Sequence, residues 1–345
     1  LILYSTDLDG GTSRGMQQAM YYGVGIVVML GCIMLVRYVR RWSFLIYVVM
    51  GGAVLLLALP LAIGTEQYGA TNWIRVGGMS LQPSEVVKLA LLLILSYFMS
   101  HRRLIPWLAF CLYCLGVLML QKDLGTALIY YFTALFMYYA YTGNLLMTGV
   151  GLLGAAGASV LGYQMFAHVK KRVAIWQNPW MYYETSGYQI VQMLMAIASG
   201  GLFGVGLGLG APRVIPVYFT DCIFAVICEQ FGIIFGVLVL VMYVILILRG
   251  SSIAVSARHS FHGLLAMGAT SMLGIQTFVI IGGVLKLIPL TGVTMPFVSY
   301  GGTSMVSCMG LIGLLQGVAS VNQDDLSYDY DISRSVQEMD ELPEA

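Results

Sequence analysis

Charge is what this sequence has least of. Lys, Arg, Asp and Glu make up 10% of 345 residues, 17 basic against 16 acidic, for a formal net charge of +1. So thin a set of charges excludes an ordinary soluble domain and offers nucleic acid no footing. Histidine is scarcer still: His101, His168, His259 and His262 are scattered near loops, which argues against a histidine-based catalytic centre. The six cysteines, Cys32, Cys111, Cys114, Cys222, Cys228 and Cys308, all fall in apolar runs. Cys111 and Cys114 form a CxxC inside one such run with no partnering His or second pair, so neither a zinc site nor a structural disulfide is expected.

What the sequence has in abundance is apolar length, with 59% hydrophobic residues and a mean hydropathy of +0.85. A helix needs roughly 20 apolar residues to cross a bilayer. Runs of that kind occur near 16–36, 43–63, 83–100, 104–120, 124–142, 145–166, 222–248, 263–285 and 297–319, predicting an all-α polytopic membrane protein with nine spans. The first residues, Leu1-Ile2-Leu3-Tyr4, lack an initiating methionine, and a tenth helix upstream is expected. Arg37, Arg40 and Arg41, then His101, Arg102 and Arg103, then Arg249 and Arg258 fall in loops two spans apart. Because basic residues in short loops resist translocation, these loops are placed in the cytoplasm. Loops at about 64–82, 121–123, 167–221 and 286–296 then face outward. The chain divides into a membrane domain, 1–321, and an acidic cytoplasmic tail, 322–345, expected to be disordered.

The connection at 167–221 is too long for a simple loop, and loops of that length carry function. It holds Lys170, Lys171 and Arg172, five aromatic residues from Trp176 to Tyr188, and an apolar Met-rich stretch from Ile190 to Ala198. That mixture suits helices lying at the outer membrane surface. An ordinary interfacial anchor would look the same. Arg75, Lys170, Lys171, Arg172, Arg213 and Lys286, however, all sit outside against the usual bias, which invites an anionic partner such as a lipid-linked phosphate. The glycine run at 200–210 contains a dinucleotide-type spacing, but it lies between membrane elements rather than in a soluble βαβ unit. Close packing or a hinge explains it better.

Carboxylates mark three helix starts. Asp221 precedes the apolar stretch from Cys222 to Ile227, with Glu229 beyond it; Asp123 precedes Leu124-Gly125-Thr126; and Gln82-Pro83-Ser84-Glu85 leads to Lys88 on the same helix side. Ionisable groups beside hydrocarbon are costly and are functional candidates. Capping is the plain alternative for Asp221 and Asp123, since a carboxylate at a helix start accepts free amide protons. Glu85 and Lys88 suit a structural pair equally well.

These segments together resemble the SEDS family of bacterial shape, elongation, division and sporulation proteins, which includes RodA, FtsW and SpoVE. The resemblance rests on Gly69-Ala70 with Trp73, on Gln82-Pro83-Ser84-Glu85 with Lys88, on Asp123 to Thr126, on Gly187-Tyr188-Gln189, on the glycine run, and on Thr220-Asp221 to Glu229. It rests above all on Pro289-Leu290-Thr291-Gly292-Val293-Thr294-Met295-Pro296-Phe297-Val298-Ser299-Tyr300-Gly301-Gly302. There are departures. Val217-Tyr218-Phe219 replaces the family's Glu, Ala and His before Thr-Asp, and Ile280, Lys286 and Lys122 stand where Asn, Gly and Pro are common, as in a divergent, RodA-like branch.

The resemblance implies a peptidoglycan glycosyltransferase of the cytoplasmic membrane that polymerises lipid II at the outer face, beside a class B penicillin-binding protein. Asp221 then matches the family's essential extracellular carboxylate and is the expected general base. Glu229, Trp73, Arg75, Gln82, Ser84, Glu85, Lys88, Asp123, Arg172, Gln189, Arg213, Lys286, Ser299 and Tyr300 are the expected supporting or substrate-binding residues. Cations from this set, or a divalent ion such as Mg or Mn, would offset charge on the departing pyrophosphate. The alternatives are a flippase or transporter of lipid-linked precursors, with Glu85, Lys88 and Asp123 along its route, and a scaffold that only recruits the transpeptidase.

Overall fold

A computed structural model describes residues 11–39, 43–67, 70–76 and 79–340. Its helices are α1 (Gly11–Val39), α2 (Ser43–Ile63), α3 (Pro83–Ser100), α4 (Leu104–Leu120), α5 (Leu124–Thr142), α6 (Leu145–Met165), α7 (Ala167–Gln177), α8 (Tyr188–Gly200), α9 (Ile223–Val255), α10 (Ser260–Val284) and α11 (Gly302–Asp340). Every apolar run read from the sequence lies on a helix of its own. Among the described residues, seven helices are long and apolar enough to cross a membrane. α4 is shorter, at 17 residues, and α5 is diluted by five tyrosines and three threonines.

The helix starts follow local chemistry. Pro83 sits in the first turn of α3, where its missing N–H costs nothing. Asp123 Oδ1 accepts the Thr126 amide at 3.1 Å to cap α5, and Asn144 Oδ1 does the same for Met147 in α6. α3 and α10 are the most enclosed helices and form the centre of the core with α5 and α11. α6 has no buried residue and packs along α5 and α7.

Two features depart from the sequence reading. The loop at 64–82 is a three-stranded antiparallel sheet of β1 (Thr65–Gln67), β2 (Ala70–Val76) and β3 (Met79–Leu81), paired Thr65 with Trp73 and Arg75 with Ser80. Trp73, Ile74 and Val76 supply the aromatic and β-branched residues that favour a strand. The acidic segment read as a disordered tail from Asn322 instead continues α11 as far as Asp340. Asp324 there pairs with Arg37, while the Asp325 carbonyl accepts from Arg258 at 3.1 Å.

The long connection folds into α7, α8 and two one-turn 3-10 helices, Pro179–Tyr182 and Pro212–Val214. It is more than a surface anchor. Ile175, Ile190, Met193, Ala196, Ile215 and Tyr218 pack with Cys222 to Cys228 of the first turns of α9 into a second core. α9 is itself broken at Gly232, whose φ of 85° and ψ of 169° are open to glycine alone. The break leaves 233–255 to span the membrane, about 35 Å of helix. The glycine run fills the gap: Val205 and Gly206 donate to the Glu229 and Gln230 carbonyls at 2.9 and 3.1 Å, and Ile233 donates to the Gly201 carbonyl at 3.0 Å. Backbone groups freed at membrane depth are thereby satisfied by protein.

Candidate active site

The bundle has two chemically distinct ends. Arg37, His101, Arg103, Arg258 and His259 gather at one, with Asp324 and Asp325. Asp123, Arg172, Asp221 and the segment 286–301 gather at the other.

Asp221 lies one residue before the N-cap of α9, half-buried. The left-handed Gly292, with φ of 77°, forms a floor against it: an added Cβ would stand 3.5 Å from Asp221 Oδ2. Burial pushes the Asp221 carboxyl up to about 6, against the opposing pull of the Thr220 hydroxyl and the Arg172 guanidinium. Arg172, midway along α7, donates to the Thr291 carbonyl at 3.5 Å. Burial lowers its pKa, while Asp123 and Asp221 raise it. It remains a cation at neutral pH.

Asp123 is fully engaged. Beyond the cap on Thr126, its Oδ2 accepts from Asn72 at 2.8 Å and Gln82 at 3.1 Å, which fixes the sheet to the start of α5. Gly125 in the next turn sits so close to Val293 and Thr291 that a Cβ would come within 2.6 Å of Val293 Cγ2. Ser299 ties the floor to the base: its hydroxyl donates to the Thr220 carbonyl and accepts from the Met295 amide, both at 2.7 Å. Gln189 of α8 donates to the Pro216 carbonyl and contacts Cys222 Sγ. Lys286 holds the other rim, its carbonyl accepting from the Trp176 indole at 3.0 Å and its ammonium reaching the Gln177 carbonyl at 3.3 Å.

Asp221, Arg172, Asp123, Gln82, Gln189, Lys286 and Ser299 are thus brought into one region. Tyr300 adjoins it, its amide donating to the Phe219 carbonyl at 2.8 Å; the other sequence-derived residues hold different places. Glu229 turns into the glycine run, where Oε1 accepts the Ala211 amide at 3.0 Å and Gly210 leaves room for the carboxylate. Glu85 and Lys88 form a 2.7 Å ion pair inside the bundle, with Lys88 fully buried. Ser84 is enclosed beside them, its carbonyl accepting from Tyr130. Trp73 is half-buried in β2 and Arg75 exposed beside it; Arg213 is exposed on its 3-10 turn, and Tyr300 donates to Gln17 of α1. Sequence reasoning missed Asn72, Thr291 and Gly292. A Gly inside the Thr291-Gly292-Val293 run was the one available sign, since a glycine there is free to take a positive φ.

Residues 2–324 match the family model of FtsW/RodA/SpoVE cell cycle proteins. The chain belongs to this family. The RodA peptidoglycan glycosyltransferase of Mycobacterium tuberculosis is 38% identical over 281 residues, 76% of this chain and 60% of the relative. The chain thus spans about 60% of the length of the curated mycobacterial relatives it matches. The stage V sporulation protein E of Bacillus subtilis is 35% identical over 318 residues, 88% of this chain and 86% of the relative. A chain of a peptidoglycan synthase complex that coordinates polymerization and crosslinking superposes with a TM-score of 0.79 at 28% identity, covering 93% of each chain. The crystal structure of Thermus thermophilus RodA gives a TM-score of 0.65 at 29% identity, over 88% and 87% of the two chains. As a member of the FtsW/RodA/SpoVE family, the chain is a polytopic membrane protein.

Proposed function

We propose that this chain is an inverting peptidoglycan glycosyltransferase that polymerises lipid II at the outer face of the cytoplasmic membrane, with Asp221 as its general base. One observation carries the proposal: a carboxylate pushed up to about 6 by burial, with the Arg172 guanidinium acting on it, at the end of the bundle opposite Arg37, Arg103 and Arg258. The recurrence of Arg37, then Arg102 and Arg103, then Arg258 in short loops an even number of spans apart at that opposite end supports a cytoplasmic assignment for it, which turns Asp221 outward.

The chemistry uses these groups in order. The acceptor 4-hydroxyl attacks C1 of the α-linked donor sugar, its proton passes to Asp221, the new β C–O bond forms, and the C1–O bond to pyrophosphate breaks with its electron pair on the leaving group. A positioned base contributes roughly a hundred- to ten-thousand-fold in rate. Arg172 supplies fixed positive charge for the leaving group, with exposed Lys170 and Lys171 along the same helix to attract it. Asp123 is occupied by Asn72, Gln82 and the Thr126 amide. A divalent ion arriving with the pyrophosphate would add to the charge that Arg172 supplies, a mode that suits Mg. The flippase reading asks Glu85, Lys88 and Asp123 to line a route, but all three are enclosed and hydrogen-bonded to neighbours.

The solved relative in a peptidoglycan synthase complex supports a penicillin-binding protein as partner. The test is chain growth from labelled lipid II by purified full-length protein. Asp221→Asn keeps the size and polarity of the side chain but removes the base, so a folded, monodisperse variant making less than ~1% of wild-type polymer is expected. Polymer at the normal rate from that variant would reject the assignment.

A further inference from the structure

Gln276, on one of the two most enclosed helices of the bundle, is fully buried and joins the ion pair of α3 to the segment before α11. On one side its Oε1 accepts from Lys88 Nζ at 2.9 Å. Lys88 in turn pairs with Glu85, whose Oε2 also accepts from Ser307 at 2.7 Å. Three helices, α3, α10 and α11, are locked at one level by these bonds. On the other side Gln276 Nε2 donates to the Thr294 carbonyl at 2.8 Å, while the Thr294 hydroxyl lies 2.6 Å from that of Ser304. Thr294 is two residues from Gly292, the floor beneath Asp221, and one from Met295, whose amide is tied through Ser299 to the Thr220 carbonyl.

We propose that Gln276 is a positioning residue for the reaction of Asp221, holding the segment 291–299 at the height where Gly292 closes off the carboxylate from water. This rests on the reading of Asp221 as the base. Only an amide suits the place. It must accept from an ammonium and donate to a carbonyl at once; a carboxylate of the same length can do only the first, a thioether neither, and Asn is a methylene short. The ion pair thereby acts as a rigid anchor for the loop rather than as a participant in chemistry, which explains why so costly a pair lies in the core with every partner provided.

Burial sets the titration of Asp221 first, opposed by the Thr220 hydroxyl beside it and by Arg172 from α7, on which Asp123 also acts; Cys222 adjoins Asp221, and His168 and Lys122 are the other titratable groups near Arg172. Gln276→Met alters none of them. If the floor drops, water reaches Asp221, the desolvation that raised its carboxyl is relieved, and the acid limb of the pH–rate profile moves down from about 6.

The experiment compares wild type, Gln276→Met, Thr277→Val and Asp221→Asn in lipid II polymerisation across pH 4.5 to 8, as purified full-length protein in lipid nanodiscs. Thr277 donates within its own helix, to the Leu273 carbonyl, and controls for loss of a buried polar group on α10. For Gln276→Met the expected result is a kcat lower by ~10- to ~100-fold, the scale for a small misplacement of reacting groups, with KM little changed. The acid-limb midpoint shifts down by about half a unit or more, while Thr277→Val keeps the wild-type midpoint. A Gln276→Met midpoint that stays in place overturns the inference, because loss of folded protein scales the rate without moving the midpoint. If Gln276→Met does not accumulate, Ser304→Ala removes the other tie on Thr294, and an unmoved midpoint there has the same consequence. A wild-type profile with no limb near pH 6, or an active Asp221→Asn, rejects the base itself; an intact base with an indifferent Gln276 rejects only the positioning role.

Discussion

Asp221 holds a charge where burial opposes it, and that opposition has consequences for rate and for stability. A base works only when ionised, so polymerisation should rise with pH through about 6 and level off above it, read as initial rates at saturating lipid II. The stability effect has the opposite sign. The folded pKa lies above the ordinary 3.8, so the contribution of this group is full below about pH 4 and is lost as pH rises through about 6. At pH 7.5 the ionised carboxylate therefore costs stability that Asn does not. Asp221→Asn should be more stable than wild type there by on the order of 1–3 kcal/mol, with the difference closing toward pH 4.5, as thermal unfolding in detergent would show. A more stable, inactive variant is the signature of a site strained for function. Glu229 holds a different place, its Oε1 accepting the Ala211 amide beside the glycine run.

At the scale of elements, the broken α9 and the glycine run form one device. An added Cβ at Gly204 would stand 2.3 Å from the Gln230 carbonyl oxygen, at a φ of 82°, so two independent penalties fall on one residue. Gly143, which ends α5 at a φ of 63°, has open space around it and bears only the conformational one. Gly204→Ala should accordingly lose about 3 kcal/mol or more, and Gly143→Ala about 1 kcal/mol. Thermal midpoints of the two variants measured side by side would show the gap, and equal losses would mean that the run and the break do not support each other. The same device fixes the first turns of α9, and through them the place of Asp221.

At the scale of the whole molecule, sidedness is the property on which the function depends. All six cysteines are buried, so introduced thiols can be labelled over a quiet background. Lys171→Cys, exposed on α7, should react with a membrane-impermeant maleimide in intact cells; Arg102→Cys, exposed at the other end, should react only after permeabilisation. The reverse pattern would place Asp221 inside. Apolar length and the spacing of basic residues were enough, from sequence, to read the helical class, the order of the long helices and the two ends, because these depend on composition summed over about 20 residues and not on any one contact. Asp221 and Asp123 were legible too, as charges beside hydrocarbon. Only the folded chain decided that Asp123 is spent on Asn72, Gln82 and Thr126, that Glu229 belongs to the glycine run, and that Arg172, about 50 residues from Asp123 and from Asp221 in sequence, comes near enough to interact with both. Bonds of that kind depend on which donor comes within about 3 Å, and distances between helices far apart in the chain are set by packing, which local sequence does not encode.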